Sequence, residues 1–558
     1  MVEQRIRNAE VKGSSPLIGT IFIMDGEYMY IFINILLVLI VFLIIFLSDK
    51  VGKKNTIKGI EKYYKYIFFV FLFMIGFTSI YKLGVVPKGF HIDEAGMFYD
   101  AYSIATCGVD RYLNKYPVYF INFGSGMNAM YIYLAALLIK LFGAKLIFMR
   151  TPGIIIRIIA FIFAYYLIRL EKNKTLRIVF LFLLTVCPYF IMQSRWGLES
   201  NLLVGFLTIA ISLFINYLYN RKLLLLFLSG VVLGLSLYCY AVSYIMIPVF
   251  LLITIIYLLL IKKINIKEII VLGIPIFIIG LPLILMVLVN SGFIPEIRTF
   301  ITITKLPTYR VGELSLLNIF SNFRIIFNVL TFDNFLKGEN LVYNSLPEFG
   351  TLYYISIPFF ILGLSISVNN FIKDWKDKNV NVNTIILIWF VSVISCLLII
   401  KLPNINKANA LFIPLIYFVS TGIISIVKNN KTILLSLLVV YLINYGLFLN
   451  LYYNEYNIKY DRPLGFMTYE IDAIDYADSL DFKTIYVDYN VFEFIYLQAY
   501  KLESPYKDTD NIIIVDGTKY IYTPLDELPD NAAYVTKSIK NIEYNHIKKF
   551  NDVYVVYK

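Results

Sequence analysis

Apolar runs of about 17 to 25 residues, separated by polar connections, recur along most of the chain, and each is long enough to cross a bilayer as a helix. Six lie near Met29 to Ser48, Tyr66 to Val86, Thr151 to Arg169, Leu176 to Met192, Asn201 to Tyr219 and Leu223 to Tyr240. Six more follow near Tyr244 to Ile261, Glu268 to Leu288, Leu352 to Val368, Thr384 to Ile400, Ala410 to Val427 and Thr432 to Asn450. The pattern predicts a polytopic α-helical membrane protein with about twelve transmembrane helices. The run Met127 to Phe142 is apolar but short, and is read as a juxtamembrane or re-entrant helix with both ends on one side.

The polar connections assign the sides. Every second one is basic: Lys50 to Lys65, Arg169 to Arg177, Arg221 with Lys222, Lys262 to Lys267, Lys373 to Lys378, and Lys428 with Lys431. Lysine and arginine collect in cytoplasmic loops, so these connections are placed inside. A first outer loop (87–150), the Arg195 to Ser200 turn, the Ser291 to Gly350 loop, the Lys401 to Asn409 turn and the C-terminus then share the extracytoplasmic side.

After about Tyr453 the apolar runs give way to short alternating segments that read as strands: Thr484 to Asp488, Asn511 to Asp516, Tyr520 to Thr523, Ala533 to Thr536 and Asp552 to Tyr557. Helical patterns at Tyr469 to Leu480 and Val491 to Tyr500 lie between them, so residues 453–558 are expected to form a small extracytoplasmic α/β domain beside a membrane domain of residues 29–452. Residues 1–28 fit neither a signal peptide nor the next span. The string KGSSPLIGT can be written in DNA as a run containing GGTTCAAGTCC, the form of a transfer RNA T-arm. A disordered or misassigned start is therefore expected, with translation beginning at Met24 or Met29.

Composition agrees with the pattern. The chain is 59% hydrophobic and 17% aromatic, with a mean hydropathy of +0.72, too apolar for a soluble globule. Tyrosine suits helix ends at the lipid–water boundary. The net charge of +12 is dispersed in short clusters, which argues against a nucleic-acid partner and for membrane lipids. The four cysteines, Cys107, Cys187, Cys239 and Cys396, form neither a metal knuckle nor a disulfide framework.

Chemistry concentrates in GFHIDEAGMFYDAYSIATCGVDRYLNKYPVYFINFGSG, from Gly89 to Gly126. On a helix beginning near Asp93, Asp93, Met97 and Asp100 share one face and Glu94 points elsewhere, so adjacent carboxylates can hold different roles. The bland reading makes Asp93 an N-cap and Glu94 a first-turn acid favoured by the helix dipole. Further outer residues needing explanation are Arg195 and Glu199 in SRWGLESN, then Arg298, Lys305 and Arg310, the segment NSLPEFG (344–350) and KLPNINK ending at Lys407. Carboxylates and cations at the mouth of a bundle suit a reaction that deprotonates a hydroxyl and releases a phosphate. Arg195 can also snorkel to headgroups, though that is the lesser reading, and Arg310 and Lys407 suit interfacial anchors better than ligands.

At HIDEAGMFYDAYSIATCGVDRY, YIYLAALLIKLFG followed by MRTPG, and PYFIMQSRWGLESN, the sequence resembles GT-C class membrane glycosyltransferases. It is most similar to the family 39-type group of protein O-mannosyltransferases and aminoarabinose-transferase-like enzymes. The resemblance implies a GT-C fold and an inverting hexosyl- or pentosyltransferase that moves a sugar from a polyprenyl-phosphate-linked donor to an acceptor hydroxyl on protein, lipid or cell-wall glycan. It implies cell-envelope glycosylation at the outer face of the plasma membrane, with an acid of the first loop, Asp93 beside Glu94, as catalytic base. The second-loop acid, usually aspartate in that group, corresponds to Glu199. A lysine that some relatives carry is replaced by Asn122-Phe123-Gly124, so the donor phosphate is expected near Arg195 with help from Lys407 or Arg310, and His91 supports the site. No cofactor is demanded. A divalent metal at Asp93, Glu199 and His91 is left open, since those residue types bind such ions.

The rival is a transporter or flippase for a glycolipid. Transporters place ionisable groups near the bilayer midplane, whereas here Arg157 is the main charge within a span. Neither the sugar nor the acceptor is readable from motif spacing.

Overall fold

The computed structural model describes residues 26–48, 63–309, 314–331, 335–336, 339–340, 343–428, 430–459, 466–507, 511–540 and 542–558. The start-site expectation for residues 1–25, the lysines from Lys50 to Lys62, and Arg310 lie outside them.

Among the described residues, eight helices are long and apolar enough to cross a membrane, and the chain is a multi-pass membrane protein. The N-terminal part runs α1 (Gly26–Ser48), α2 (Tyr64–Ile80), α3 (Ile92–Cys107), the strands β1 (Tyr119–Asn122) and β2 (Ser125–Asn128), α4 (Met130–Phe142) and α5 (Leu146–Ile168). Next come α6 (Lys174–Val186), α7 (Pro188–Gln193), α8 (Leu203–Asn220), α9 (Leu223–Ser236), α10 (Ser243–Leu260) and α11 (Ile266–Asn290). The bundle closes with α12 (Asn318–Leu330), α13 (Ile357–Lys376), α14 (Val382–Ile399), α15 (Phe412–Val427) and α16 (Lys431–Asn454). The twelve apolar runs correspond to the eight long helices, α1, the shorter α2 and α9, and α6 with α7, which are broken before Pro188 because proline cannot continue the ladder.

Local sequence starts and stops these helices. Asparagines at 173, 265, 381 and 430 accept hydrogen bonds from the first-turn N–H groups of α6, α11, α14 and α16, each just after a basic connection. Helix α3 ends at Gly108 in the left-handed conformation, φ 72°. Inside the bundle α8, α14 and α15 are mostly buried, while α5, α11 and α13 turn much of their surface outward. Gly363 of α13 and Gly422 of α15 face each other's backbones, where a Cβ would collide with the carbonyls of Phe418 and Phe359. Glycine sets that close approach.

The C-terminal residues form a six-stranded mixed sheet. Its strands are β5 (Thr484–Val487), β6 (Ile512–Val515), β7 (Thr518–Tyr522), β8 (Ala532–Thr536), β9 (His546–Phe550) and β10 (Val553–Tyr557), in the order β9-β10-β8-β5-β7-β6. Strand β5 pairs parallel to both β7 and β8. Helices α17 (Thr468–Ser479) and α18 (Phe494–Lys501) complete it, and α18 packs on α3. Strand β9 was not expected from the sequence. The long loop before Gly350 also contains α12 and the hairpin of β3 (Ile297–Arg298) and β4 (Thr302–Ile303).

Candidate active site

The first turn of α3 faces two different environments. His91, not Asp93, caps the helix: its Nδ1 accepts from the Asp93 N–H at 3.3 Å. Glu94 turns inward and is fully buried. Its carboxylate accepts from Arg150 Nε and Nη2, each at 2.8 Å, and from the Gly197 N–H at 2.6 Å. Arg150, also fully buried, donates to the Pro87 and Gly89 carbonyls at 2.6 and 2.7 Å. A Cβ at Gly197 would sit 2.9 Å from Met149 and 3.2 Å from Glu94, so glycine lets the second outer loop touch the carboxylate.

Arg195 belongs to the same sealed region. Nη1 donates to the Thr78 and Ser79 carbonyls at 2.7 and 2.9 Å, and Nη2 to that of Val86 at 2.9 Å. Thr78 and Ser79 lie in the last turn of α2, whose carbonyls have no helical partner. Tyr453 covers the guanidinium at 5.0 Å. The structure thus places Arg195 as a buried clamp on the end of α2 and Glu94 as the buried counter-ion of Arg150, rather than on the open side of the helix.

Asp93 points the other way and keeps a third of its side chain exposed (33%). Its Oδ1 accepts from Asn122 Nδ2 at 3.2 Å, while Asn122 Oδ1 accepts from Arg111 Nη2 at 3.2 Å. Arg111 in turn grips the buried Asp100 through Nε at 3.1 Å and Nη2 at 2.7 Å. Because the guanidinium can only donate, it fixes which end of the Asn122 amide faces Asp93. His91 Nδ1 lies 3.8 Å from Asp93 Oδ2. The imidazole packs against Trp196 at 5.0 Å and Tyr343 at 5.1 Å, and burial lowers its pKa. The Tyr496 phenol of α18 is raised by burial and then by the charge of Asp93, which brings the C-terminal part to the rim of this site.

The β1–β2 hairpin links Asp93 to a cavity of about 420 Å³ lined by Tyr119, Ser125, Glu199, Tyr244, Tyr309 and Lys407, among others. Asn122 is paired in register with Ser125. Glu199 accepts from the Asn128 N–H, and Tyr244 donates to Asn128 Oδ1 at 2.6 Å. Lys407 Nζ donates to the Lys401 carbonyl at 2.7 Å. The structure thus brings Glu199 and Lys407 to one cavity and puts Asp93 and His91 behind the hairpin that walls it. No three His, Cys, Asp or Glu side chains converge on a metal geometry among the described residues. Sequence reading missed Asn122, Arg111 and Arg150 as parts of the site. The available signal was the lone asparagine where some relatives of the resembled family carry lysine.

Residues 128–289, from the end of β2 through α11, match the family of dolichyl-phosphate-mannose-protein mannosyltransferases. The match bears out the resemblance read from the sequence. It includes Glu199 and leaves Asp93, Asn122 and Lys407 outside. No curated protein matches the chain. Among solved structures, the oligosaccharyltransferase AglB from Archaeoglobus fulgidus, in complex with an inhibitory peptide and a dolichol-phosphate, aligns at 12% identity and TM-score 0.46 over 78% of this chain. The chain spans 63% of that protein's length. ArnT from Cupriavidus metallidurans in the apo state aligns at 10% identity and TM-score 0.48, covering 78% of this chain and 84% of its own. ArnT bound to undecaprenyl phosphate aligns at 10% identity and TM-score 0.45, covering 75% and 72%.

Proposed function

We propose that the protein is an inverting glycosyltransferase that takes a sugar from a polyprenyl-phosphate-linked donor at the outer face of the membrane. The observation that carries this reading is Asp93, a partly exposed carboxylate held by Asn122, whose hairpin partner Ser125 lines the cavity that also holds Glu199 and Lys407. The acceptor oxygen attacks the anomeric carbon, Asp93 takes its proton, and the C–O bond to phosphate breaks, so the donor leaves as polyprenyl phosphate. Lys407, with Arg310, supplies positive charge for that phosphate, and Glu199, which lines the same cavity as Lys407, orients sugar hydroxyls. The match to a mannosyltransferase family and the gathering of these groups outside the spans favour an enzyme over a transporter.

Asp93→Asn tests the base. Asparagine keeps the shape but cannot take the proton, and losing a general base costs about 10² to 10⁴ in rate. A folded variant that binds undecaprenyl phosphate but barely transfers sugar is expected; near-normal transfer overturns the mechanism. Orientation is tested by cysteines at Lys115, Lys305 and Ser504, which should react with an impermeant reagent on intact cells while one at Lys376 should not. Mass spectrometry of surface glycans from a deletion strain identifies sugar and acceptor.

A further inference from the structure

Helix α12 presents a face that the reaction proposed above does not use. Its inner side buries Asn322, Ile326 and Val329. Asn322 Nδ2 lies 3.0, 3.1 and 2.5 Å from the carbonyls of Leu397, Leu398 and Ile400, and Asn318 Nδ2 lies 3.0 Å from that of Ile399. These are the end carbonyls of α14, which lack helical partners. Two asparagines therefore fasten α12 across the outer end of a spanning helix. The other side carries Leu317, Phe320, Phe323 and Phe327 at helical spacing, with the phenylalanines 91, 69 and 59% exposed. A ridge of that size in water would be an unusual apolar patch. Beside the end of a lipid-facing bundle it continues the bilayer-contacting surface, at the depth where amphipathic helices bury an apolar face.

The ridge also borders the cavity. Leu314, four residues before α12, bridges to Ile400, and both line the cavity that holds Glu199 and Lys407. Met286 and Val287 of α11 line its other side, and just past the end of α11 Phe293 and Phe300 are exposed as well. We propose that α12 is sunk in the acyl region of the outer leaflet and forms one post of a lateral doorway, between α11 and α14, through which the isoprenoid chain of the lipid-linked donor reaches the cavity. The doorway rests on the polyprenyl-phosphate reading, whereas the immersion of α12 does not.

Two measurements separate these parts. In nanodiscs, Phe320→Trp should add blue-shifted emission that phosphatidylcholine brominated on the upper acyl chain quenches. Red-shifted or unquenched emission overturns immersion, and unquenched emission from a dimer would assign the ridge to a second copy. Combining Phe320→Ser, Phe323→Ser and Phe327→Ser should weaken undecaprenyl phosphate binding about tenfold and leave geranyl phosphate binding unchanged, since the short chain does not need the doorway. Equal effects on both lipids, or none, overturn the doorway. If the unmodified protein binds neither lipid while Phe320→Trp is quenched, the donor reading fails and immersed α12 stands.

Discussion

Asp93 and Glu94 are consecutive residues, yet they belong to two regions built on opposite rules. On the Glu94 side, the charges are closed off: Arg150 and Arg195 are fully buried, Arg150 donates to Glu94 and to the carbonyls of Pro87 and Gly89, and the terminal nitrogens of Arg195 donate to the carbonyls of Thr78, Ser79 and Val86. On the Asp93 side the carboxylate is held at a single oxygen by Asn122 and keeps open surface. A rotation of about 100° per residue is enough to divide them. A buried ion pair holds geometry and offers nothing to a substrate, whereas a half-held carboxylate remains able to accept a proton. The closed region builds the wall against which the open one is aimed.

The largest expected effect breaks the closed region. Arg150→Met leaves Glu94 charged and unpaired and should cost about 3 to 5 kcal/mol of stability, read as a fall in the thermal midpoint of the detergent-solubilised protein. Combining it with Glu94→Leu should recover part of that loss, because the orphaned charge is gone although the Gly197 N–H loses its acceptor. A double variant no better than the single would mean the carbonyl contacts of Arg150, rather than the pair, dominate. Next is Arg195→Lys, where a point charge replaces a planar fork holding three carbonyls. Stability should drop by about 1 to 3 kcal/mol with undecaprenyl phosphate binding unchanged; weaker binding at unchanged stability would return Arg195 to the donor site.

A smaller effect sharpens the open region. Asn122→Asp sets a second carboxylate beside Asp93, and like charges raise each other's pKa. The acid limb of the pH–rate profile should move up by about one unit, and Asn122→Ala, which removes a donor to the carboxylate without adding a charge, should lower the rate and move that limb less. Identical profiles would remove Asn122 as the positioning residue of the base.

The spans were legible because a bilayer demands long apolar runs whatever the fold, and the C-terminal strands because alternation marks a half-buried sheet. The divergence of Asp93 and Glu94 was legible from helical spacing. The pairing of Glu94 with Arg150, 56 residues later, was not, because a buried charge looks identical to an exposed one until its partner is known. The contacts of Arg195 with the end of α2 were hidden for the same reason: arginine beside a polar turn suits a phosphate and a helix end alike. Helix α12 lay unrecognised in a long connection, since its apolar stripe is too short to register as a span.

The finest test concerns the group where the two regions meet. His91 caps α3 with Nδ1 as acceptor, and burial holds its pKa below the ordinary 6.5, only partly opposed by the charges of Asp93 and Glu94. Well above pH 6.5 the imidazole is neutral in both folded and unfolded chains, so it gives stability no pH slope there. As the pH falls through that value, the unfolded chain gains a proton that the folded one refuses, and stability falls with it. The loss levels off only below the depressed folded pKa. His91→Asn keeps a capping acceptor, since asparagine is a preferred N-cap, but has no proton to take. Thermal midpoints of the two proteins between pH 7.5 and 5.5 should therefore diverge, the wild type losing more on acidification. Parallel slopes would mean that the ring accommodates its proton by pairing with Asp93, which would join the cap to the open region instead of the closed one.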